Sequence, residues 1–248
     1  MRIPRIYQAV PLQCGDNIVL DAQATNHVIR VLRLKQNDPV ILFNGQGGEY
    51  TGVLDIVDKR CARVQLQEFQ QPDNESPLYI TLMQGVSRGE RMDFTLQKSV
   101  ELGVNAIFPV LTQHSTVHLD AARAKKKQAH WQGVVNSACE QSGRDVVPRV
   151  YELDTLQNQA HELTATNAST IVLHHRADNS LPSIAKPPAN SVVLVVGPEG
   201  GLSDEELDWL HTLGCAEVKI GPRILRTETA ALTAIAVMQA LWGDFDNR

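Results

Sequence analysis

The stretch Val192–Leu207 reads VVLVVGPEGGLSDEEL and indicates the fold more clearly than any other part of the chain. Its first five residues are apolar and rich in valine, as is typical of a strand buried on both faces. The strand ends at Gly197-Pro198-Glu199-Gly200-Gly201, and a helix is predicted to begin at the cap residue Ser203. Glycines at the carboxyl end of such a strand let a ligand approach the backbone, and open α/β sheets bind ligands at that edge.

Two other interpretations of this loop remain. A tight turn that needs glycine only for its geometry would look the same. A phosphate-binding loop is disfavoured, because the G-x-x-x-x-G-K-[ST] spacing is absent and the acids that follow would repel phosphate.

Strands and helices alternate on both sides of this segment. The alternation predicts an α/β domain with a mainly parallel sheet that is covered by helices on both faces. The predicted strands are 78–84, 106–110, 170–174, 191–196 and 216–220, and the predicted helices are 90–102, 121–142, 205–213 and 229–242.

The start of the chain follows a different pattern. Short alternating strands at 39–44, 49–57 and 61–69, separated by glycine or Asp turns, predict a small β-barrel with one short helix at 26–34. A polar, proline-bounded stretch then indicates a linker. We therefore expect a β-barrel domain at 1–71, a linker at 72–77 and the α/β domain at 78–248.

Charge is distributed unevenly along the chain. The net charge of −5 argues weakly against a nucleic-acid partner. Residues 1–36 nevertheless carry five Lys/Arg against two acids, and His27, Arg30 and Arg33 recur every three residues along a predicted helix. This basic set suits phosphate binding, with a solvated helix face as the alternative.

Several classes of site and location are disfavoured. The four cysteines are far apart, and the eight histidines show no metal-ligand spacing, so neither a metal site nor a disulfide is expected. The N-terminal residues lack the apolar region of a signal peptide, and no apolar run is long enough to span a bilayer. We therefore expect a cytoplasmic protein. A nucleotide hydrolase is disfavoured, because there is no Walker lysine.

A second glycine-containing strand end, Ile220-Gly221-Pro222, precedes a loop with charged residues and an apolar helix. Arg226 and Glu228 lie between these two hydrophobic elements, where charged groups need partners and often serve function. A surface salt bridge at the helix start is the alternative. The two strand ends could form two walls of one pocket, with Leu173–His175 as a third wall.

Joined in order, these motifs resemble the ribosomal RNA small-subunit methyltransferase E family over essentially the whole chain. The shared residues are H-x-x-R-V-L-R at 27–33, Gln84, Arg88, Lys98, Glu101–Gly103, E-Q-S-G-R at 140–144, G-P-E-G-G at 197–201 and I-G-P-R-I-L-R-T-E-T-A at 220–230. The resemblance implies a trefoil-knotted SPOUT methyltransferase domain, an N-terminal PUA-like RNA-binding barrel and a homodimer. It also implies methyl transfer from S-adenosyl-L-methionine to N3 of uridine 1498 of 16S rRNA in the small (30S) ribosomal subunit.

On this basis we assign candidate site residues. The cofactor-binding set is Leu173, His174, Gly197, Pro198, Glu199, Gly200, Gly201, Ile220, Gly221, Leu225 and Thr229. The RNA-binding set is Arg2, Arg5, His27, Arg30, Arg33, Arg88 and Arg144. Arg226 is the candidate cation that stabilises a uracil anion, and Glu228 either orients it or acts as the base. A 2′-O-methyltransferase and a non-catalytic RNA-binding module remain as alternative functions.

Overall fold

The computed structural model describes residues 3–58, 60–117, 119–160 and 167–245. The chain divides into two compact units. The first comprises the residues up to Glu75 together with Asn136–Val147, and the second comprises Ser76–Val135 and the residues from Pro148 onward. This grouping differs from the division expected from sequence in one segment, 136–147, which belongs to the first unit.

The first unit contains a five-stranded, mainly antiparallel sheet in the order β1-β3-β4-β5-β2, in which only β1 and β3 run parallel. Its strands are β1 Arg5–Tyr7, β2 Asn17–Val19, β3 Pro39–Phe43, β4 Glu49–Asp58 and β5 Cys61–Gln70. The three strands predicted from alternation are confirmed as β3, β4 and β5. The short edge strands β1 and β2 were not predicted.

Helix α1, Ala22–Asn26, continues into one π-helical turn at His27–Val31. It begins four residues before the predicted start, because the Asp21 carboxylate accepts a hydrogen bond from the Ala24 N–H at 2.8 Å and caps the helix. Val28 packs against the sheet and is fully buried, as are Leu54 and Val64, which lie opposite each other on β4 and β5. Burial of this apolar face stabilises the unit.

The segment 136–147 is held in the first unit by polar contacts over long sequence separations. The Tyr7 N–H donates to the Glu140 carboxylate at 2.9 Å, and the Gly48 N–H donates to the Asp145 carboxylate. The Arg144 guanidinium forms an ion pair with Glu75 at 2.6 Å. No local pattern encodes these contacts, which explains why the sequence did not place this segment in the first unit.

The second unit contains a parallel sheet in the order β12-β10-β11-β6-β7-β8, with β9 also paired to β7. Its strands are β6 Tyr79–Gly85, β7 Ala106–Leu111, β8 Arg149–Val150, β9 Asp154–Thr155, β10 Ser169–Leu173, β11 Ser191–Val196 and β12 Ala216–Val218. The helices are α2 Glu90–Glu101, α3 Ala121–Ser142, which runs on into the first unit, α4 Asp204–Thr212 and α5 Thr227–Trp242. The predicted parallel α/β domain is confirmed.

Strand β11 lies inside this sheet, and Val192–Val196 are at most 3% exposed. Helix α4 begins at the predicted cap: the Ser203 hydroxyl accepts from the Glu206 N–H, and the Glu206 carboxylate accepts from the Ser203 N–H. Because β12, β10 and β11 are parallel neighbours, their carboxyl ends lie at one edge of the sheet. That edge positions the site described next. Within the described ranges, no helix combines the length and apolar character that a membrane span requires.

Candidate active site

A cavity of about 900 Å³ opens at the edge where β10, β11 and β12 end. Its walls are the loops that follow these three strands and the first turns of α4 and α5, with Arg91 of α2 and with Gln113 and His114 after β7. All of these elements belong to the second unit. Topology explains the convergence, because the carboxyl ends of adjacent parallel strands point in one direction and their loops must meet there.

The structure brings most of the predicted cofactor-binding residues to this cavity. Those that line it are Leu173, His174, Gly197, Pro198, Glu199, Gly200, Gly201, Ile220, Gly221 and Leu225, joined by Arg226 and Glu228. Thr229 is the exception, because it is exposed on the first turn of α5 and is not part of the wall. A helix turns about 100° per residue, so the residue after Glu228 faces another direction.

The glycines of the Gly197–Gly201 loop serve its compact geometry. A Cβ on Gly197 would lie 2.9 Å from the Gly201 carbonyl carbon, and one on Gly200 would lie 2.8 Å from the Cβ of His114. Gly201 has a φ of +73°, which side chains rarely adopt. The tight-turn interpretation is therefore correct for the geometry of this loop, and the loop also lines the cavity.

Two buried polar side chains fix this loop to α5. The Thr227 hydroxyl donates to the Gly197 carbonyl at 2.6 Å, and the Gln84 amide donates to the same hydroxyl at 3.0 Å. Gln84 is fully buried at the end of β6. Both residues stand in the motifs that carry the family resemblance, but no role was predicted for either, because the sequence does not show that these buried polar groups are partners.

Glu199 is tied to the loop and helix that follow β6. Its carboxylate accepts from the Arg91 guanidinium at 3.0 Å and from the Arg88 N–H at 3.1 Å. Partial burial raises the pKa of Glu199, but these hydrogen bonds and one from its own backbone outweigh burial and hold that pKa below its usual range. Glu199 is therefore an anion that fixes one wall of the cavity. The Arg88 side chain itself is exposed.

Arg226 and Glu228 present two different chemical groups to the cavity. Arg226 precedes α5 and is exposed, so its guanidinium is accessible. Glu228 is half-buried, and its Oε2 is buried with no hydrogen-bond partner among the residues that the structure describes. The described ion pairs include none between the two residues. A buried acceptor without a donor is costly unless a ligand supplies one.

The predicted RNA-binding residues of the first unit divide into two groups. Arg30 and Arg33 are exposed, and His27 beside them is half-buried. Arg5 and Arg144 are buried: Arg5 forms an ion pair with Glu49 and lies over the Phe43 ring, and Arg144 is paired with Glu75.

The structure thus contradicts a phosphate contact for Arg5 and Arg144, because both guanidinium groups are already paired and shielded from solvent. Arg2 lies outside the described residues. In the described part of the chain, no three His, Cys, Asp or Glu side chains are arranged to hold a metal ion.

The fold and the cavity agree with two family models. The model described as an RNA methyltransferase domain matches residues 74–239, and the one described as an RNA methyltransferase PUA domain matches residues 20–66. The two matches define the class of protein: an RNA methyltransferase that combines a parallel α/β domain with a PUA domain.

Similar proteins narrow the class. Over 98% of both chains, the sequence is 34% identical to the ribosomal RNA small subunit methyltransferase E of Buchnera aphidicola from Schizaphis graminum. A crystal structure of the Neisseria gonorrhoeae methyltransferase E bound to S-adenosyl methionine is 41% identical, with a TM-score of 0.90 over 98% of this chain and 100% of that chain. A Legionella pneumophila structure, described as a complex with bound SAM, is 37% identical, with a TM-score of 0.91 over 99% and 100%. The chain therefore belongs to the ribosomal RNA small subunit methyltransferase E family.

Proposed function

We propose that this protein transfers a methyl group from S-adenosylmethionine to N3 of a uridine of 16S ribosomal RNA, uridine 1498, in the small ribosomal subunit. Membership of the family supports the proposal, as do the similar structures that are described with the bound cofactor. The observation that carries it is that one cavity is lined by both the exposed Arg226 and Glu228. The buried Oε2 of Glu228 has no hydrogen-bond partner among the described residues.

The cavity fits the cofactor in size and lining. Its volume of about 900 Å³ lies in the range of small-molecule sites. The backbone groups of Gly197–Gly201 and Ile220–Leu225 would hold the cofactor, with apolar contact from Ile220 and Leu225. When bound, the cofactor supplies a methyl group that its sulfonium makes electrophilic.

The chain must then make uracil N3 nucleophilic, because N3 carries a proton and reacts poorly until that proton leaves. Negative charge develops on O2 and O4 as it does so. The exposed Arg226 guanidinium is placed to stabilise that charge through hydrogen bonds from its planar fork of donors.

Glu228 is the candidate acceptor for the N3 proton. Its Oε2 is buried at the start of α5 and has no donor in the described part of the chain. Because no ion pair joins Glu228 to Arg226, a direct role is favoured over the orientation of Arg226. A carboxylate oxygen accepts hydrogen bonds, so this oxygen can receive the N3–H of the uracil.

Binding of the RNA is proposed for the exposed Arg30 and Arg33 with the half-buried His27 in the first unit, and for the exposed Arg88 in the second. Arg2, which lies outside the described residues, stays in the proposed set. Arginine side chains suit phosphate recognition. The trefoil-knotted chain path, a homodimeric assembly and a cytoplasmic location belong to the same proposal, on the strength of the family resemblance and the ribosomal substrate.

Methyl transfer to small ribosomal subunits from a strain that lacks this protein tests the proposal. Labelled S-adenosylmethionine is supplied, the rRNA is digested, and the nucleosides are identified by mass spectrometry. We expect 3-methyluridine. A 2′-O-methylated uridine would replace the proposed target with the ribose. Intact cofactor binding with no transfer to subunits or to free 16S rRNA would move the search to another RNA. Failure to bind S-adenosylmethionine would favour a non-catalytic RNA-binding module.

A further inference from the structure

Two histidines share one carboxylate beside the cavity. Glu217 lies on β12, and its Oε1 contacts Nδ1 of His174, the residue that follows β10. The other oxygen of Glu217 lies 2.7 Å from Nε2 of His211, at the end of α4. Of the three side chains, only that of His174 lines the cavity.

The sheet and its neighbours fix this contact. Strands β10 and β12 are parallel neighbours in which Val172 lies opposite Glu217, and the His174 N–H donates to the Val218 carbonyl at 2.9 Å. The side chains of His174 and Glu217 are only 14% and 19% exposed. The His175 ring meets the His174 ring edge-on with centroids 4.9 Å apart. The His174 ring is therefore restricted to few orientations.

A carboxylate accepts hydrogen bonds and cannot donate them, so the His174 nitrogen beside Glu217 must carry the proton. In a neutral imidazole, a proton on Nδ1 leaves a lone pair on Nε2. No hydrogen bond to Nε2 of His174 occurs among the described residues. Carboxylates fix the tautomer of metal-binding histidines in the same way, where the free nitrogen serves as a ligand.

We propose that Glu217 is a positioning residue: it holds His174 as the Nδ1–H tautomer, so that Nε2 accepts a hydrogen bond from the methyl donor in the cavity. This inference rests on the proposed function for the identity of the ligand. The methyl donor carries hydroxyl, amino and ammonium groups, all of which can donate. Glu217 itself touches no ligand and acts through His174.

The first test needs no ligand. In protein labelled with ¹⁵N-histidine, the imidazole ¹⁵N shifts report which nitrogen carries the proton, and His174→Asn identifies the His174 signals by their loss. We expect the Nδ1–H tautomer in the wild type and its loss as the main form in Glu217→Ala, which leaves no acceptor at this position. An Nε2–H tautomer in the wild type, or an unchanged tautomer in Glu217→Ala, would overturn the proposal.

The second test measures the affinity for S-adenosylhomocysteine by calorimetry. We expect Glu217→Ala and His174→Asn each to weaken binding roughly tenfold, because one hydrogen bond is lost, and the double variant to be no weaker than either. Additive losses would show that Glu217 acts independently of His174 and would overturn the positioning role. His211→Asn is the matched control and should stay within about twofold of the wild type, because it leaves the contact between Glu217 and His174 in place.

Analogues that lack one donor at a time then identify the recognised group. The analogue that lacks the recognised donor should bind the wild type more weakly than S-adenosylhomocysteine does. The same analogue and S-adenosylhomocysteine should bind His174→Asn with equal affinity. If every analogue loses the same affinity in both proteins, Nε2 of His174 does not accept a hydrogen bond from this ligand. A wild-type protein that binds no S-adenosylhomocysteine would overturn the proposed function instead, and the tautomer measurement would still decide the role of Glu217.

Discussion

Site residues were predicted from sequence in both units: the cavity loops in the second unit and basic side chains in the first. The two sets differ in how closely their positions in the structure agree with the prediction. Ten of the eleven predicted cofactor-binding residues line one cavity. Of the predicted arginines in the first unit, Arg30 and Arg33 are exposed, whereas Arg5 and Arg144 are buried in ion pairs.

The difference lies in what determines each position. Loops at the carboxyl ends of adjacent parallel strands must converge, so a buried strand followed by glycines predicts a location as well as a type of site. A positively charged residue in the sequence does not indicate which way its side chain will point in the folded protein. Whether an arginine faces solvent or an internal carboxylate depends on a partner that is far away in the chain, as Glu49 is for Arg5.

The largest effect is expected at the cavity, for Arg226→Ala. Loss of the cation that stabilises the uracil anion should lower turnover on small ribosomal subunits about 100- to 1000-fold. The affinity for S-adenosylmethionine should change little, because the Arg226 side chain is not among the groups proposed to hold the cofactor. Single-turnover methyl transfer and calorimetry on the same preparation measure the two quantities separately.

Arg226→Lys provides the matched control for that variant. Lysine keeps the charge but loses the planar fork of donors, so part of the lost turnover should return. Wild-type turnover in Arg226→Ala would exclude this residue from the chemistry. The convergence of the loops would then locate the cofactor but not the catalytic group.

Local patterns predicted most of the second unit. The apolar runs located β6, β7, β10 and β11 to within one residue at each end, and the ends of α3 were correct. The two-residue strands β8 and β9 were missed, because such short pairs have no periodicity of their own. The side-chain contacts that support the site were not predicted, for another reason. Gln84 and Thr227 are 143 residues apart, and Glu217 is 43 residues from His174. Only the folded chain brings these partners together.

A large loss of stability is expected in the first unit for Arg144→Ala. Removal of this guanidinium leaves the Glu75 carboxylate without its buried partner. Breaking such a pair should lower the free energy of unfolding of the first unit by about 3 kcal/mol. Urea unfolding measures the change, and Arg30→Ala, at an exposed arginine of the same unit, is the control and should stay within about 0.5 kcal/mol of the wild type.

Two buried cysteines show which unit is affected. Burial raises the pKa of Cys139, in segment 136–147, to about 12, and burial raises that of Cys215, in the second unit, to about 11. Both thiols should therefore react slowly at neutral pH, whereas Cys14 is exposed. Arg144→Ala should speed the labelling of Cys139 and leave Cys215 unchanged. Equal acceleration at both cysteines would contradict a loss confined to the first unit.

A smaller effect is expected for Gly85→Ala at the end of β6. The added Cβ would lie 2.4 Å from the Pro198 nitrogen, so the Gly197–Gly201 loop must shift. We expect the affinity for S-adenosylmethionine to fall about tenfold, which corresponds to a loss of about 1.4 kcal/mol of binding free energy from the shifted loop. Gly133→Ala in α3 is the control: no atom lies within 4 Å of its Cβ, and alanine should stabilise the helix by about 0.5–1 kcal/mol without changing affinity. Unchanged binding in Gly85→Ala would show that the cofactor does not depend on this loop.

The smallest effect is expected for Arg30→Ala, and it tests the exposed half of the basic set. One lost phosphate contact should weaken RNA binding a few-fold and reduce the slope of log K against log salt concentration by about 0.7–0.9. Arg63→Ala is the matched control, because Arg63 is an exposed arginine on β5 outside the predicted RNA-binding set. Filter binding to 16S rRNA over a range of salt concentrations measures both variants. If the two slopes fall equally, the first unit attracts RNA through its overall charge, and the π-helical turn His27–Val31 that carries Arg30 has no special part in the contact.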